Sequence, residues 1–113
     1  MNRRNEMVSS LIQEQISKII YKETSFKDIL LTVINVKTTK DLGYADILIS
    51  VYPYAKTKLV EEILNKRKFI IQGLLNRILK MRVLPKIRFK FSESGKRLDK
   101  LSEIFKKIKE EKN

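Results

Sequence analysis

Apolar residues recur in the first part of the chain at the three- and four-residue spacing of an amphipathic helix. They predict a first helix over Arg4–Tyr21 and lie at Met7, Val8, Leu11, Ile12, Ile16, Ile19 and Ile20. Two β-rich segments follow, Ile29–Val36 and Ala45–Tyr52, and the first of them is apolar enough for a buried strand. A turn is predicted between them, where Gly43 is able to take a positive φ, and Pro53 ends the second strand.

The helical period returns over Thr57–Met81, but one charged residue interrupts its apolar face. At about 100° per residue, Arg67 falls in the middle of this apolar stripe, whose members include Val60, Leu64, Ile71, Leu74 and Ile78. Because a buried charge is costly, we expect a break near Lys66–Phe69 that gives two helices. The alternative is one straight helix in which the Arg67 side chain reaches out to solvent.

The last third of the chain predicts one more strand and one more helix. Leu84-Pro85 is expected to stop the long helical region, because proline disfavours helix in the residue before it. Lys86–Phe91 alternates between basic and apolar residues, which predicts a strand with one face of each kind. A final helix over 96–113 has an apolar face, formed by Leu98, Leu101, Ile104, Phe105 and Ile108. The order α-β-β-α-α-β-α predicts an α+β fold with a three-stranded sheet, and we expect residues 1–113 to form one domain.

The chain is strongly basic, and most of its net charge lies in one segment. Its 113 residues include 25 Lys and Arg against 13 Asp and Glu, a formal net charge of +12 at pH 7. No Asp or Glu occurs over 63–91, whose basic residues are Lys66, Arg67, Lys68, Arg77, Lys80, Arg82, Lys86, Arg88 and Lys90. A field of one sign attracts polyanions, and nucleic acid is the obvious partner because phosphate contacts release condensed counterions.

Missing residue types exclude several kinds of chemistry. The chain has no Cys and no His, so thiolate nucleophiles, Cys-ligated zinc and Ser-His-Asp catalysis are excluded. Its three glycines, Gly43, Gly73 and Gly95, cannot form a P-loop or a dinucleotide-binding motif. We therefore expect no enzyme activity, no cofactor, no metal and no small-molecule substrate. No apolar run is long enough to span a membrane, and the absence of Cys is compatible with the cytoplasm.

Several basic residues and Gly73 each have two interpretations. Arg3 and Arg4 begin the first helix, where they oppose its dipole, which fits either phosphate binding or a harmless solvated end. Gly73 shares a narrow arc of the helical region with Arg77 and Lys80. It indicates either close helix packing or close approach of an RNA backbone. A solvated strand face is favoured over a dedicated site for the basic residues of the third strand, Lys86, Arg88 and Lys90.

The aromatic residues do not strengthen the case for RNA. Phe89, Phe91 and Phe105 belong to apolar faces and are expected in the core. Stacking on a base is the less favoured interpretation for the tyrosines at strand ends, which are Tyr44, Tyr52 and Tyr54. A basic protein with few spare aromatic residues is expected to recognise shape and backbone rather than base identity.

Two sequence segments carry a family likeness. Val36–Ile47 resembles the pattern V-x-x-S/T-x-D-L-x-x-A-x-V across the first turn, and Met81–Phe89 is similar to L-R-x-x-P-x-L-x-F before the third strand. Together with Arg4-x-x-x-Val8, these segments resemble the bacterial ribosome-binding factor A family over nearly the whole chain. The order α-β-β-α-α-β is that of the type II KH-like fold, which the resemblance also implies.

The chain departs from the family pattern at the predicted break. The family usually has A-x-G there, followed shortly by Ile-Arg, whereas this chain has Arg67-Lys68-Phe69 and then Ile71-Gln72. The small residues and the usual Arg are absent, and two positive charges are gained at the same place.

The resemblance implies a non-enzymatic assembly factor that binds the immature small ribosomal subunit and its rRNA. Such factors aid late maturation and rRNA end-processing, matter most in the cold and leave once the subunit is mature. We further expect a cytoplasmic monomer without a membrane partner. RNA contacts are predicted at eight basic residues, namely Arg3, Arg4, Lys66, Arg67, Lys68, Arg77, Lys80 and Arg82.

Other classes of function stay open at this point. One is a general KH-like RNA- or DNA-binding protein without ribosome specificity. Another is an interaction module for an acidic protein or a membrane surface through the last helix, although docking of that helix or fraying over Lys106–Asn113 is favoured. An enzyme is least favoured, because Glu61-Glu62 and Glu110-Glu111 are adjacent in sequence and point in different helical directions.

Overall fold

The fold is that of a computed structural model, which describes residues 3–93. Its elements in chain order are α1 (Arg3–Glu23), β1 (Leu30–Thr38), β2 (Tyr44–Tyr52), a 3-10 turn (Tyr54–Lys56), α2 (Thr57–Lys66), α3 (Lys68–Leu79) and β3 (Lys86–Phe91). This order confirms the predicted α+β, type II KH-like arrangement α-β-β-α-α-β. The predicted last helix over 96–113 lies outside the described residues. Within residues 3–93, no helix is both long and apolar enough to cross a membrane.

The three strands form one mixed sheet with β2 in the centre. β1 pairs antiparallel with β2, and a bulge at Ile34 shifts the register between Val33 and Asn35. β3 pairs parallel with β2 and begins with Lys86 opposite Tyr44. The parallel pairing requires a long crossover, and α2 and α3 provide it.

The core lies between one face of this sheet and the three helices. Every second residue of β2 is buried, at Ala45, Ile47, Ile49 and Val51. The buried helical residues are Val8, Ile12, Ile16, Ile19, Ile20, Val60, Leu64, Ile71 and Leu75. Each fully buried large aliphatic side chain contributes about 1.5–3 kcal/mol relative to exposure. Phe89 and Phe91 are half-buried against this core, which confirms their prediction as core residues.

The β1–β2 turn differs from the prediction in the residue that has a positive φ. Leu42 has a φ of 58°, whereas Gly43 does not lie in the left-handed region. Asp41 Oδ1 accepts hydrogen bonds from Thr39 Oγ1 at 2.7 Å and from Gly43 N at 3.0 Å, and these bonds fix the turn. Space beside Gly43 is tight instead, because a Cβ there would lie 3.1 Å from Asp41 Oδ1, which would have to shift by a few tenths of an ångström.

The end of α3 also differs from the prediction, and Pro85 is not its cause. Lys80 takes the left-handed conformation with φ 48° and ψ 32°. Its N–H donates to the Asn76 carbonyl at 3.1 Å, which closes the helix in the manner of a left-handed C-terminal cap. The helix therefore ends at Leu79, well before Leu84.

Candidate nucleic-acid interface

Arg67 interrupts the helical region between β2 and β3, which confirms the predicted break and excludes the straight helix. Its φ of −95° and ψ of 3° separate the end of α2 at Lys66 from the start of α3 at Lys68. Leu64 before the break and Ile71 after it are both fully buried, while the Arg67 side chain is 39% exposed. The break thus lets both apolar stripes face the core while the guanidinium leaves it.

The guanidinium of Arg67 has a partner that the sequence did not reveal. Its Nη2 donates to Glu23 Oε2 at 3.0 Å, and Glu23 is the last residue of α1. Ion pairs that stay partly in contact with water are typically worth no more than about 1 kcal/mol. A phosphate that approaches Arg67 must therefore share its guanidinium with the Glu23 carboxylate or displace that carboxylate.

The predicted phosphate contacts fall into three separate groups: Lys66, Arg67 and Lys68; Arg77, Lys80 and Arg82; Arg3 and Arg4. The first group surrounds the break, and the second occupies the end of α3 and the loop after it. Lys68 and Arg77 are about 14 Å apart along the axis of α3, at 1.5 Å per residue. Arg4 is about 28 Å from Glu23 along the axis of α1. This end of α1 lies next to the β1–β2 turn, because the neighbouring Asn5 donates a hydrogen bond to the Thr39 carbonyl at 2.9 Å. The structure brings the first two groups onto one helical unit and leaves the third apart.

Most of the basic side chains in the first two groups face solvent. Lys66, Arg77, Lys80 and Arg82 are exposed and Lys68 is half-buried. Among residues 3–93, Arg67 is the only member of these two groups with an acidic partner. Contact with RNA at these positions stays a prediction. No cluster of three or more His, Cys, Asp or Glu suited to a metal ion occurs in the described range.

Arg88 of β3 is engaged within the sheet, which corrects its interpretation as a solvated residue. Its Nε and Nη2 donate to Asp46 Oδ1 and Oδ2 at 2.6 and 3.2 Å, and its guanidinium lies 4.2 Å from the centroid of the Tyr44 ring. The hydrogen bond to Asp46 raises the pKa of Arg88 above its ordinary value. Lys86 and Lys90 are exposed, as expected for that face of the strand.

No described helix packs closely against Gly73. None of the described atoms outside its own helix backbone lies within 4 Å of the position that a Cβ on Gly73 would occupy. Close helix packing at Gly73 therefore does not occur within residues 3–93. Close approach of an RNA backbone stays a prediction, with Arg77 exposed one turn further along the same helix.

Gln72 joins α3 to β3. Its Oε1 accepts a hydrogen bond from Ile87 N at 2.8 Å, and its Nε2 donates to the Pro85 carbonyl at 3.2 Å. Ile87 is only 1% exposed, so its N–H needs this acceptor. Gln72 is thus a structural residue that holds α3 against the start of β3.

Phe69 lies directly after the break and was not among the predicted surface residues. It lies in the first turn of α3 and is 90% exposed. A signal was present, because Phe69 directly follows Lys66-Arg67-Lys68 and is set about 200° around the helix from the buried Ile71. An apolar residue in a basic run and off the apolar stripe favours a surface role.

Comparison with known sequences identifies a family. The sequence model of ribosome-binding factor A matches residues 4–105 of this chain. Ribosome-binding factor A of Dictyoglomus thermophilum is 35% identical, with 97% of this chain and 92% of the relative covered. The corresponding protein of Prosthecochloris aestuarii is 34% identical, with 94% and 89% covered.

Solved structures of similar proteins have the same fold. The solution NMR structure of a Thermotoga maritima protein assigned to ribosome binding factor A has a TM-score of 0.67 at 30% identity, covering 80% of this chain and 90% of that one. The crystal structure of Thermus thermophilus ribosome-binding factor A has a TM-score of 0.64 at 20% identity, covering 76% and 93%. A homology model of the T. thermophilus protein, fitted into a cryo-EM map of its complex with the 30S subunit, has a TM-score of 0.59 at 20% identity, covering 74% and 93%. With the match over residues 4–105, these results show that the chain belongs to the ribosome-binding factor A family.

Proposed function

We propose that the protein is an assembly factor of the small ribosomal subunit. It binds the immature subunit and its rRNA, and it aids late maturation and rRNA end-processing as a monomeric, single-domain protein of the cytoplasm that matters most in the cold. Family membership supports this proposal, as does the T. thermophilus relative that has been fitted into a map of a 30S complex.

The observation that carries the proposal is the basic surface formed by α2, the break and α3. No acidic residue occurs over 63–91, so the only carboxylate that pairs with a cation of the break or of α3 within residues 3–93 is Glu23 of α1. The exposed Lys66 before α3 and the exposed Arg77 and Lys80 at its end can neutralise several phosphates at once. Each such contact releases counterions and makes binding dependent on salt.

The action of such a factor on RNA follows from binding alone. A protein without catalytic groups shifts an RNA folding equilibrium only by binding one conformation more tightly than another. We therefore propose that the basic surface stabilises an rRNA arrangement of the immature subunit. Release follows when maturation replaces that arrangement with one that the surface fits less well.

Charge reversal at the end of α3 tests this placement. Arg77→Glu with Lys80→Glu should weaken cosedimentation with immature small subunits by about ten-fold or more and lower the slope of log affinity against log salt by about one or two. The matched control is the double variant Lys27→Glu with Lys37→Glu. Both lysines are exposed and lie outside 63–91, and their replacement changes the net charge by the same amount. Unchanged cosedimentation of the Arg77/Lys80 variant at moderate salt would rule out this interface.

A general KH-like RNA- or DNA-binding protein is the second candidate. The departure at the break favours it, because Arg67-Lys68-Phe69 replaces the small residues of the family pattern. Competition distinguishes the two candidates. Arbitrary RNA that competes as well as immature subunits would support the general binder, whereas selective competition by subunits would support the assembly factor.

A further inference from the structure

We propose that Phe69 is a stacking platform for one unpaired base of the bound RNA. The strand that carries this base then runs along α3, over Gly73 and towards Arg77. This inference rests on the proposed function and adds contact with a single-stranded segment to it.

The exposure of Phe69 is the first observation. The ring is 90% exposed, whereas the other phenylalanines of the described chain, Phe26, Phe89 and Phe91, pack against the core. The fold therefore leaves one phenyl face open to solvent at the start of α3. Base stacking on such rings is the usual way in which proteins hold single strands, and it tolerates any base because every base has a π-face.

The charges beside Phe69 are the second observation. Lys66 and Lys68 flank the break within three residues of Phe69, and both lack an acidic partner among residues 3–93. A phosphate attached to a stacked nucleotide would meet these cations.

The alignment of three residues on α3 gives the strand a direction. Phe69, Gly73 and Arg77 follow one another at a spacing of four, so they share one face of the helix, and all three are exposed. The row is about 12 Å long from Phe69 to Arg77. Gly73 in its middle has no described atom within 4 Å of the place where a Cβ would stand, apart from its own helix backbone. A base on Phe69, a backbone over Gly73 and a phosphate at Arg77 fit this row together.

The exposed ring directly follows a run of three cations, Lys66-Arg67-Lys68. This chain therefore holds single-stranded RNA at the break through a base as well as through phosphates.

Two ligands of equal charge separate stacking from phosphate contact. The probes are an oligoadenylate of about eight nucleotides and an abasic strand of the same length, which keeps the phosphates and lacks the bases. Phe69→Ala should weaken oligoadenylate binding by about ten-fold, equivalent to about 1.4 kcal/mol, without affecting the abasic strand. Phe69→Leu keeps much of the apolar area but removes the ring, so it should weaken oligoadenylate binding as much as Phe69→Ala does. Neither variant should change the slope of log affinity against log salt. Met7→Ala is the control, because Met7 is 61% exposed and lies about 24 Å along α1 from Glu23.

A tryptophan at position 69 gives a direct signal. The chain has no Trp, so Phe69→Trp introduces a single indole whose fluorescence should be quenched by oligoadenylate and not by the abasic strand. Unchanged fluorescence at saturation, or equal losses on both ligands for Phe69→Ala, would overturn the inference. Cosedimentation of the unaltered protein with small subunits tests the proposed function separately, so the failure of one can be told from the failure of the other.

Discussion

Arg67 Nη2 lies 3.0 Å from Glu23 Oε2, so the break between α2 and α3 is held against the C-terminal end of α1. The two residues are 44 positions apart in the sequence. The Nε atom of the same guanidinium is buried and has no hydrogen-bond partner among the described residues. The central cation of the break is therefore partly used by the fold, while Lys66 and Lys68 on either side of it have no acidic partner within residues 3–93.

Neutralising Glu23 should strengthen RNA binding. Glu23→Gln keeps an oxygen that can accept a hydrogen bond from Arg67 but removes the competing charge. We expect a two- to five-fold gain in affinity for RNA and a steeper salt dependence, with a loss of stability below about 1 kcal/mol. Glu14→Gln is the control, because it removes a carboxylate of α1 whose one salt bridge within residues 3–93 is with the exposed Lys18, at 3.8 Å. An equal gain in both variants would show an effect of net charge alone.

Replacing Gly73 should affect stability and binding in opposite directions. Gly73→Ala adds a methyl group where the described structure has open space, so it should raise the free energy of unfolding by about 0.5–1 kcal/mol. If an RNA backbone passes over this position, the same methyl group should weaken RNA binding. Urea denaturation and a binding titration measure the two effects. A lower free energy of unfolding for Gly73→Ala than for the natural chain would show that the added methyl group meets other atoms above α3.

Removing the side chain of Gln72 should destabilise the protein. Gln72→Ala leaves the buried N–H of Ile87 without its acceptor, which costs about 1–3 kcal/mol. Gln72→Glu keeps an acceptor for Ile87 and loses the exposed Nε2 bond to Asn76 Oδ1 as well as the one to the Pro85 carbonyl. Because the buried N–H of Ile87 stays paired, its loss should be smaller than that of Gln72→Ala. Chemical denaturation of both variants checks this order, and equal losses would argue against a leading role for the Ile87 bond.

The turn between β1 and β2 should make part of the stability depend on pH. Hydrogen bonds from the Thr39 hydroxyl and the Gly43 N–H hold the pKa of Asp41 below its ordinary value of 3.8. Because the folded state favours the ionised form, this contribution is complete above pH 3.8 and is lost as the pH falls through the lower folded value. Asp41→Asn should therefore be less stable than the natural chain at neutral pH.

The pH dependence of that difference is the test. The gap in unfolding free energy between the natural chain and Asp41→Asn should shrink in acid below pH 3.8. A gap that stays constant from neutral to acidic pH would show that the charge of Asp41 does not contribute.

Features that depend on neighbouring residues could be predicted from the sequence. The break at Arg67 followed from one charge in an apolar stripe, and the limits of β3 followed from strict alternation over Lys86–Phe91. Both patterns are local, so no knowledge of the tertiary structure was required.

Features that depend on distant partners or unusual backbone could not be predicted in this way. The ion pair of Arg67 with Glu23 exists only after α1 has packed beside the break. The left-handed Lys80 and Leu42 carry no compositional signal, because residues with side chains rarely adopt a positive φ. Phe69 is a different case, because its place outside the apolar stripe and directly after Lys66-Arg67-Lys68 is visible in the sequence.

The bulge in β1 protects an edge of the described sheet against association. β1 has nine residues and lies at that edge, which is long enough to pair with a strand of another molecule. Before Ile34 the side chains of Leu31 and Val33 face the core, and after it Val36 does, so the alternation changes phase. A straight incoming strand that matched one half of β1 would present the wrong face to the other half. One extra residue in the strand thus opposes aggregation through the sheet edge, and the basic surface on the helices is not involved.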